Sequence, residues 1–115
     1  MRTLVDQGTP VPLRKFLSGH LVRTAYQEGW STLLNGDLLR VAEQTGFELL
    51  LTADQNLAYQ QNLASRKMAI VALGSNRWSL LRPEIERIVD AVEHAKPGSY
   101  KLVEIPQKAE SKTRS

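Results

Sequence analysis

Asp6, Asp37 and Asp54 are the residues of this sequence best placed to do chemistry. They come from three separate segments. Carboxylates that converge in this way suit a hard divalent cation such as Mg²⁺ or Mn²⁺, which prefers oxygen ligands and keeps several waters. Such an ion generates hydroxide from water and stabilises charge on a phosphodiester. Each aspartate also has an ordinary structural explanation. Asp6, ahead of Gln7-Gly8, could close an Asx-turn. Asp37 could complement a helix dipole, and Asp54 could cap the next helix.

The elements that must position these acids follow from the apolar pattern. Residues 2–6 (RTLVD) read as a short buried strand ending at an acid. Pro10 and Pro12 break it, and Leu13, Phe16 and Leu17 share a helical face up to Ser18. His20–Ala25 reads as a second strand, and Tyr26–Asn35 as a loop holding Trp30. Asn35 is a helix cap with Asp37 in the first turn, Leu38, Leu39, Val41 and Ala42 form the apolar face, and Gly46 ends the helix. Phe47–Leu51 (FELLL) is the run of a doubly covered parallel strand, leading into Thr52-Ala53-Asp54. An amide-rich helix follows over 55–66, then a buried strand, Met68–Leu73. A loop with Trp78 leads to Pro83, which opens an amphipathic helix with Ile85, Ile88, Val89 and Val92 inward. Tyr100–Ile105 is expected to be a last strand at a sheet edge.

Alternation of strand and helix argues for an α/β domain, a mainly parallel twisted sheet of about five strands with helices on both faces and right-handed crossovers. Ligands of such sheets collect outside the carboxyl ends of the strands. Asp6 and Asp54 each end a strand. The helix opened by Asp37 runs antiparallel to the sheet, which brings its first turn to the same edge. Glu43 lies on that helix but points about 240° away from Asp37, and so is a weaker candidate.

Other chemistries find less support. The sequence has no G-x-G-x-x-G and no P-loop. His20 and His94 lack a second ligand at helical spacing, and Ser31 and Ser75 lack the context of a nucleophile elbow. Arg14 and Lys15 could contact a phosphate backbone or simply be solvated. The amides Gln55, Asn56, Gln60, Gln61 and Asn62 could bond phosphates or form a polar helix face. Trp30 and Trp78 could stack on unpaired bases, although covering the core is the commoner use of such a ring.

Composition sets the outer bounds. With 115 residues, 42% hydrophobic and 23% charged, the chain fits one globular domain. The expected division is a domain over 1–106 and a polar, disordered tail over 107–115. The tail QKAESKTRS carries three bases and one acid, a net of +2, which leaves +1 of the total +3 for the domain. A near-neutral body makes the overall basicity weak support for nucleic-acid binding. Absence of cysteine fits a reducing compartment. No apolar run is long enough to span a membrane and the N-terminus is not that of a signal peptide, so a cytoplasmic protein without membrane contact is expected.

The strings LVDQGTPVPLRKFL, GHLVRTAYQEGW, NGDLLRVAEQTGFELLLTADQNLAYQQNL and MAIVAL together resemble an uncharacterised PIN-like family. Its members begin with a strand followed by D-E-N-L-P and carry a D-x-x-L-L…A…G-F-x-x-L-x-T-x-D segment. The resemblance covers residues 2 to about 105, and the second segment is its specific part. It implies a Rossmann-like, PIN-type fold and a Mg²⁺- or Mn²⁺-dependent ribonuclease, with Asp6, Asp37 and Asp54 as both catalytic and metal-binding acids. It also implies that Thr52 supports Asp54. Some such proteins are toxins of toxin–antitoxin pairs, as with VapC-type proteins, so RNA, an antitoxin-like protein and a second copy of the chain are the partners implied. Two departures stand out. Gln7-Gly8-Thr9 replaces the usual acid and asparagine, and the loop after MAIVAL (Gly74, Ser75, Asn76) lacks the fourth acid. Asn76, or a water held by Asn56, would stand in. The alternative is a catalytically degenerate PIN-like module that binds RNA or a protein.

Overall fold

In the computed structural model the described residues are 2–6, 8–17, 19–33, 35–53 and 67–106. Five strands form one sheet: β1 (Arg2–Val5), β2 (Leu21–Thr24), β3 (Leu49–Thr52), β4 (Ala69–Leu73) and β5 (Tyr100–Val103). Their order across the sheet is β2-β1-β3-β4-β5, with every neighbouring pair parallel. The central strands β3 and β4 are buried at every residue. That accounts for their continuous apolar sequences, since both faces are covered. β5 lies at an edge, as its mixed polarity suggested, and β2 forms the other edge with alternate residues exposed.

The side chains of the sheet divide by parity between two cores. Val5, Leu49, Leu51, Val71 and Leu73 face one side, where Leu13, Leu17, Leu81, Ile88 and Val92 cover them. Leu4, Leu50 and Ile70 face the other, beneath Leu38, Leu39 and Ala42. The second cover is helix α1 (Asn35–Thr45). The first combines a 3₁₀ helix (Val11–Phe16) with the short α2 (Trp78–Leu81), a 3₁₀ turn (Arg82–Glu84) and α3 (Ile85–Glu93). Helices therefore lie on both faces of the sheet.

Three elements differ from expectation. The segment after β1 is 3₁₀ rather than α, with Pro12 in its first turn unable to donate a backbone bond. Trp78 is the first residue of α2 and not a loop residue, its ring 6.0 Å from Phe16. The crossovers do not all share a hand. The β2–β3 and β4–β5 connections progress in the same direction across the sheet, yet α1 and α3 lie on opposite faces. One of the two must run against the usual right-handed sense.

Helix α1 fixes the polarity of the site. The Arg2 guanidinium donates to the carbonyl of Thr45 (2.8 Å), and Glu48 N–H donates to the carbonyl of Arg2. The C-terminus of α1 is thus held at the amino edge of the sheet. Gly46, at φ +101°, ends the helix there, and a Cβ on it would lie 2.5 Å from Arg2 Nη1. Eleven residues rise about 16 Å, which carries the N-terminus of α1 back to the carboxyl edge.

Candidate functional site

Asp6 is the residue immediately after β1. Its N–H extends the ladder to β3 by donating to the Leu51 carbonyl (2.9 Å). Its own carbonyl accepts from Thr9 N–H (3.2 Å) and closes the turn, with Gly8 at φ +96° where an L side chain would be strained. The carboxylate is directed sideways across the sheet. Thr52 Oγ1, fully buried at the end of β3, donates to Asp6 Oδ2 at 2.8 Å. The resemblance assigns Thr52 to the support of Asp54, which lies outside the described residues; within them, the Thr52 hydroxyl holds Asp6.

This bond spans a particular place in the topology. From β1 the chain moves outward to β2 and then returns past β1 to β3, so its progress reverses between β1 and β3. Crevices at such reversals, on the carboxyl edge, are where doubly wound sheets bind ligands.

Asp37 reaches the same edge in the first turn of α1. It is exposed there and pairs with Arg40 at 2.7 Å. Asp54 and Asn56 lie outside the described residues. Among the described residues, which do not include Asp54, no three His, Cys, Asp or Glu side chains form a group that could hold a metal ion. The donors of the proposed trio are all carboxylate oxygens, the chemistry Mg²⁺ and Mn²⁺ take. Asp6 also carries the kind of orienting hydrogen bond typical of a ligating carboxylate. On both counts the residues fit such an ion.

Glu43 lies at the other end of α1. Its carboxylate accepts the N–H of Lys67, just ahead of β4, at the amino edge of the sheet. Six residues along a helix displace a side chain by about 9 Å as well as turning it, and this rise carries Glu43 away from Asp37. There it lines a cavity of about 450 Å³ with Phe47, Lys67 and Pro97, at the end of the sheet opposite Asp6.

A second cavity, about 340 Å³, adjoins Asp6 and is lined also by Thr9, Arg14, Thr24, Tyr26 and Gln27. Arg14 was a sequence candidate. Thr24, Tyr26 and Gln27 are not evident from sequence because β2 lies beside β1 only in the folded sheet. Gln27 N–H donates to Thr24 Oγ1 and Thr24 N–H to Gln27 Oε1, which fixes the turn that presents Tyr26. Asn76 is exposed in the loop following β4, also at the carboxyl edge.

The tryptophans serve packing. Trp30 meets Phe47 edge to face at 5.9 Å and covers the α1 core. His20 lies 3.9 Å from Glu93, and His94 pairs with Asp90.

No family model, curated protein or solved structure matches this chain. Among the described residues no helix is long and apolar enough to cross a membrane.

Proposed function

We propose that this protein is a small metal-dependent ribonuclease of the PIN-like kind, with a Rossmann-like sheet as its scaffold. The observation that carries the reading is the Asp6 carboxylate held by Thr52 at the reversal between β1 and β3. Asp6, Asp54 and Asp37 would hold Mg²⁺ or Mn²⁺, with Asp37 released from the exposed, weakly held Arg40 pair. When bound, the ion lowers the pKa of water and stabilises the charge that builds on a phosphodiester. Thr52 holds the Asp6 carboxylate at this edge, and Arg14 lines the cavity beside Asp6, where it would receive a phosphate. A toxin paired with an antitoxin-like protein is the physiological role that accompanies this reading.

A second reading is supported by the loop after β4, which presents Ser75 and Asn76 but no carboxylate. With fewer acids the same scaffold would bind RNA or a protein partner without cleaving. Incubation of unstructured RNA with the purified protein separates the two. Cleavage that requires Mn²⁺ and disappears in Asp6→Asn supports the enzyme; intact RNA retained by the protein supports the binding module.

A further inference from the structure

We infer that the cavity beside Asp6 is a nucleotide subsite, gripping one residue of single-stranded RNA with Arg14 and Thr9 on a phosphate and Tyr26 on the base. The inference rests on the ribonuclease reading and adds where the strand is held.

Two residues of the cavity lining, Thr9 and Arg14, suit an anionic, hydrogen-bond-accepting ligand. Thr9 is only 7% exposed, and its buried Oγ1 has no hydrogen-bond partner. Buried hydroxyls are rarely left in that state without a ligand or water to complete them. Arg14 is half-buried on the same wall, and its guanidinium has no ionic or hydrogen-bonding partner among the described residues. Guanidinium groups recognise phosphate through paired N–H donors. Gln27 adds to the donor character. Its Oε1 must face the Thr24 N–H, which leaves its amide NH₂ as the outward group.

The rim supplies the other half of a nucleotide. Tyr26 is 76% exposed, more than Phe16 or Leu21, on a turn closed from both ends by Thr24 and Gln27. A phenol ring presented to solvent is a platform for an unstacked base, whereas the bases of a duplex are already stacked. The cavity volume of about 340 Å³ sits at the small end of ligand sites, which suits one nucleotide rather than a structured fold of RNA. Asp6 also lines the cavity and repels a bare phosphate, so the grip in the absence of metal comes from Arg14, Thr9 and Tyr26.

Fluorescence anisotropy with a short labelled oligouridine, in EDTA at low salt, tests the subsite. Arg14→Ala and Tyr26→Ala are each expected to weaken binding by about tenfold, and Thr9→Val by less. Asp6→Asn should bind as tightly as wild type or more so. Arg14 and Tyr26 are not core residues, and circular dichroism checks that the variants fold. Inorganic phosphate should compete only weakly, because it lacks the base. Full competition by phosphate, affinities of Arg14→Ala and Tyr26→Ala within twofold of wild type, or no binding by wild type would each overturn the subsite. Titration of the same proteins with Mn²⁺ separates this failure from failure of the parent reading. Loss of Mn²⁺ binding in Asp6→Asn with RNA affinity unmoved by Arg14→Ala and Tyr26→Ala refutes the subsite alone. Undiminished Mn²⁺ binding in Asp6→Asn refutes the ribonuclease site while leaving the RNA grip intact.

Discussion

Thr52 Oγ1 donates to Asp6 Oδ2 at 2.8 Å, joining the last residue of β3 to the residue just beyond β1. Because Leu4 and Leu50 are paired in register and face α1, the side chains two residues on, Asp6 and Thr52, emerge toward the same face. The sheet itself therefore aims the carboxylate at the side where α1 begins. Thr52→Val keeps the shape and removes the donor. Mn²⁺ affinity is expected to fall by about 10- to 100-fold, as when other orienting partners of metal ligands are removed. Stability should fall by only about 1 kcal/mol in urea denaturation, since water can reach the half-exposed Asp6. An unchanged Mn²⁺ affinity would mean that Thr52 does not orient a ligand.

Glu43 provides the opposite control. Its bond to the Lys67 N–H anchors the chain ahead of β4, far along α1 from Asp37. Glu43→Gln retains an oxygen acceptor for that N–H, so stability should change by no more than about 0.5 kcal/mol. Mn²⁺ affinity and RNA cleavage should equal those of wild type. A loss of either would place Glu43 in the site after all.

Gly46 is a structural requirement. An alanine there would have to adopt a left-handed φ, costing about 1–2 kcal/mol, and its Cβ would push the Arg2 guanidinium off the Thr45 carbonyl. Gly46→Ala is expected to lower stability by about 1–3 kcal/mol in denaturant unfolding, without changing metal affinity in the folded protein. An unaltered midpoint would contradict the Arg2 cap.

His94 titrates above its ordinary value, first because the Asp90 backbone carbonyl bonds its ring and second because the Asp90 carboxylate is nearby. A pKa raised in the folded state favours folding while the ring is protonated. That contribution is fully present below the ordinary value of about 6.5 and lost as pH rises through the folded value. An NMR titration should place His94 above the ordinary value and show Asp90→Asn moving it down only in part, because the carbonyl remains. A His94 pKa at or below the ordinary value would show that the pair does not form in solution.

Much of the scaffold was legible from local pattern. Leu49-Leu50-Leu51 and Ala69–Leu73 could be read as covered strands because both of their faces are apolar, and Gly46 marked the end of α1 because its φ is positive. Relations between distant segments were not legible. Nothing in the residues themselves reveals that β2 lies beside β1, so Thr24, Tyr26 and Gln27 could not be connected with Asp6. That the Thr52 hydroxyl reaches Asp6, beyond the end of the neighbouring strand, is visible only in the folded sheet. For Glu43 the rise along the helix axis, as well as the angle around it, decides its location.

Calorimetric titration of the purified protein with Mn²⁺, beside Asp6→Asn, tests the proposed metal site most directly. Saturable binding by wild type that is lost in a folded Asp6→Asn variant is the expected result. Absence of saturable heat at millimolar Mn²⁺, or equal binding by the variant, would contradict a metal-dependent ribonuclease centred on Asp6.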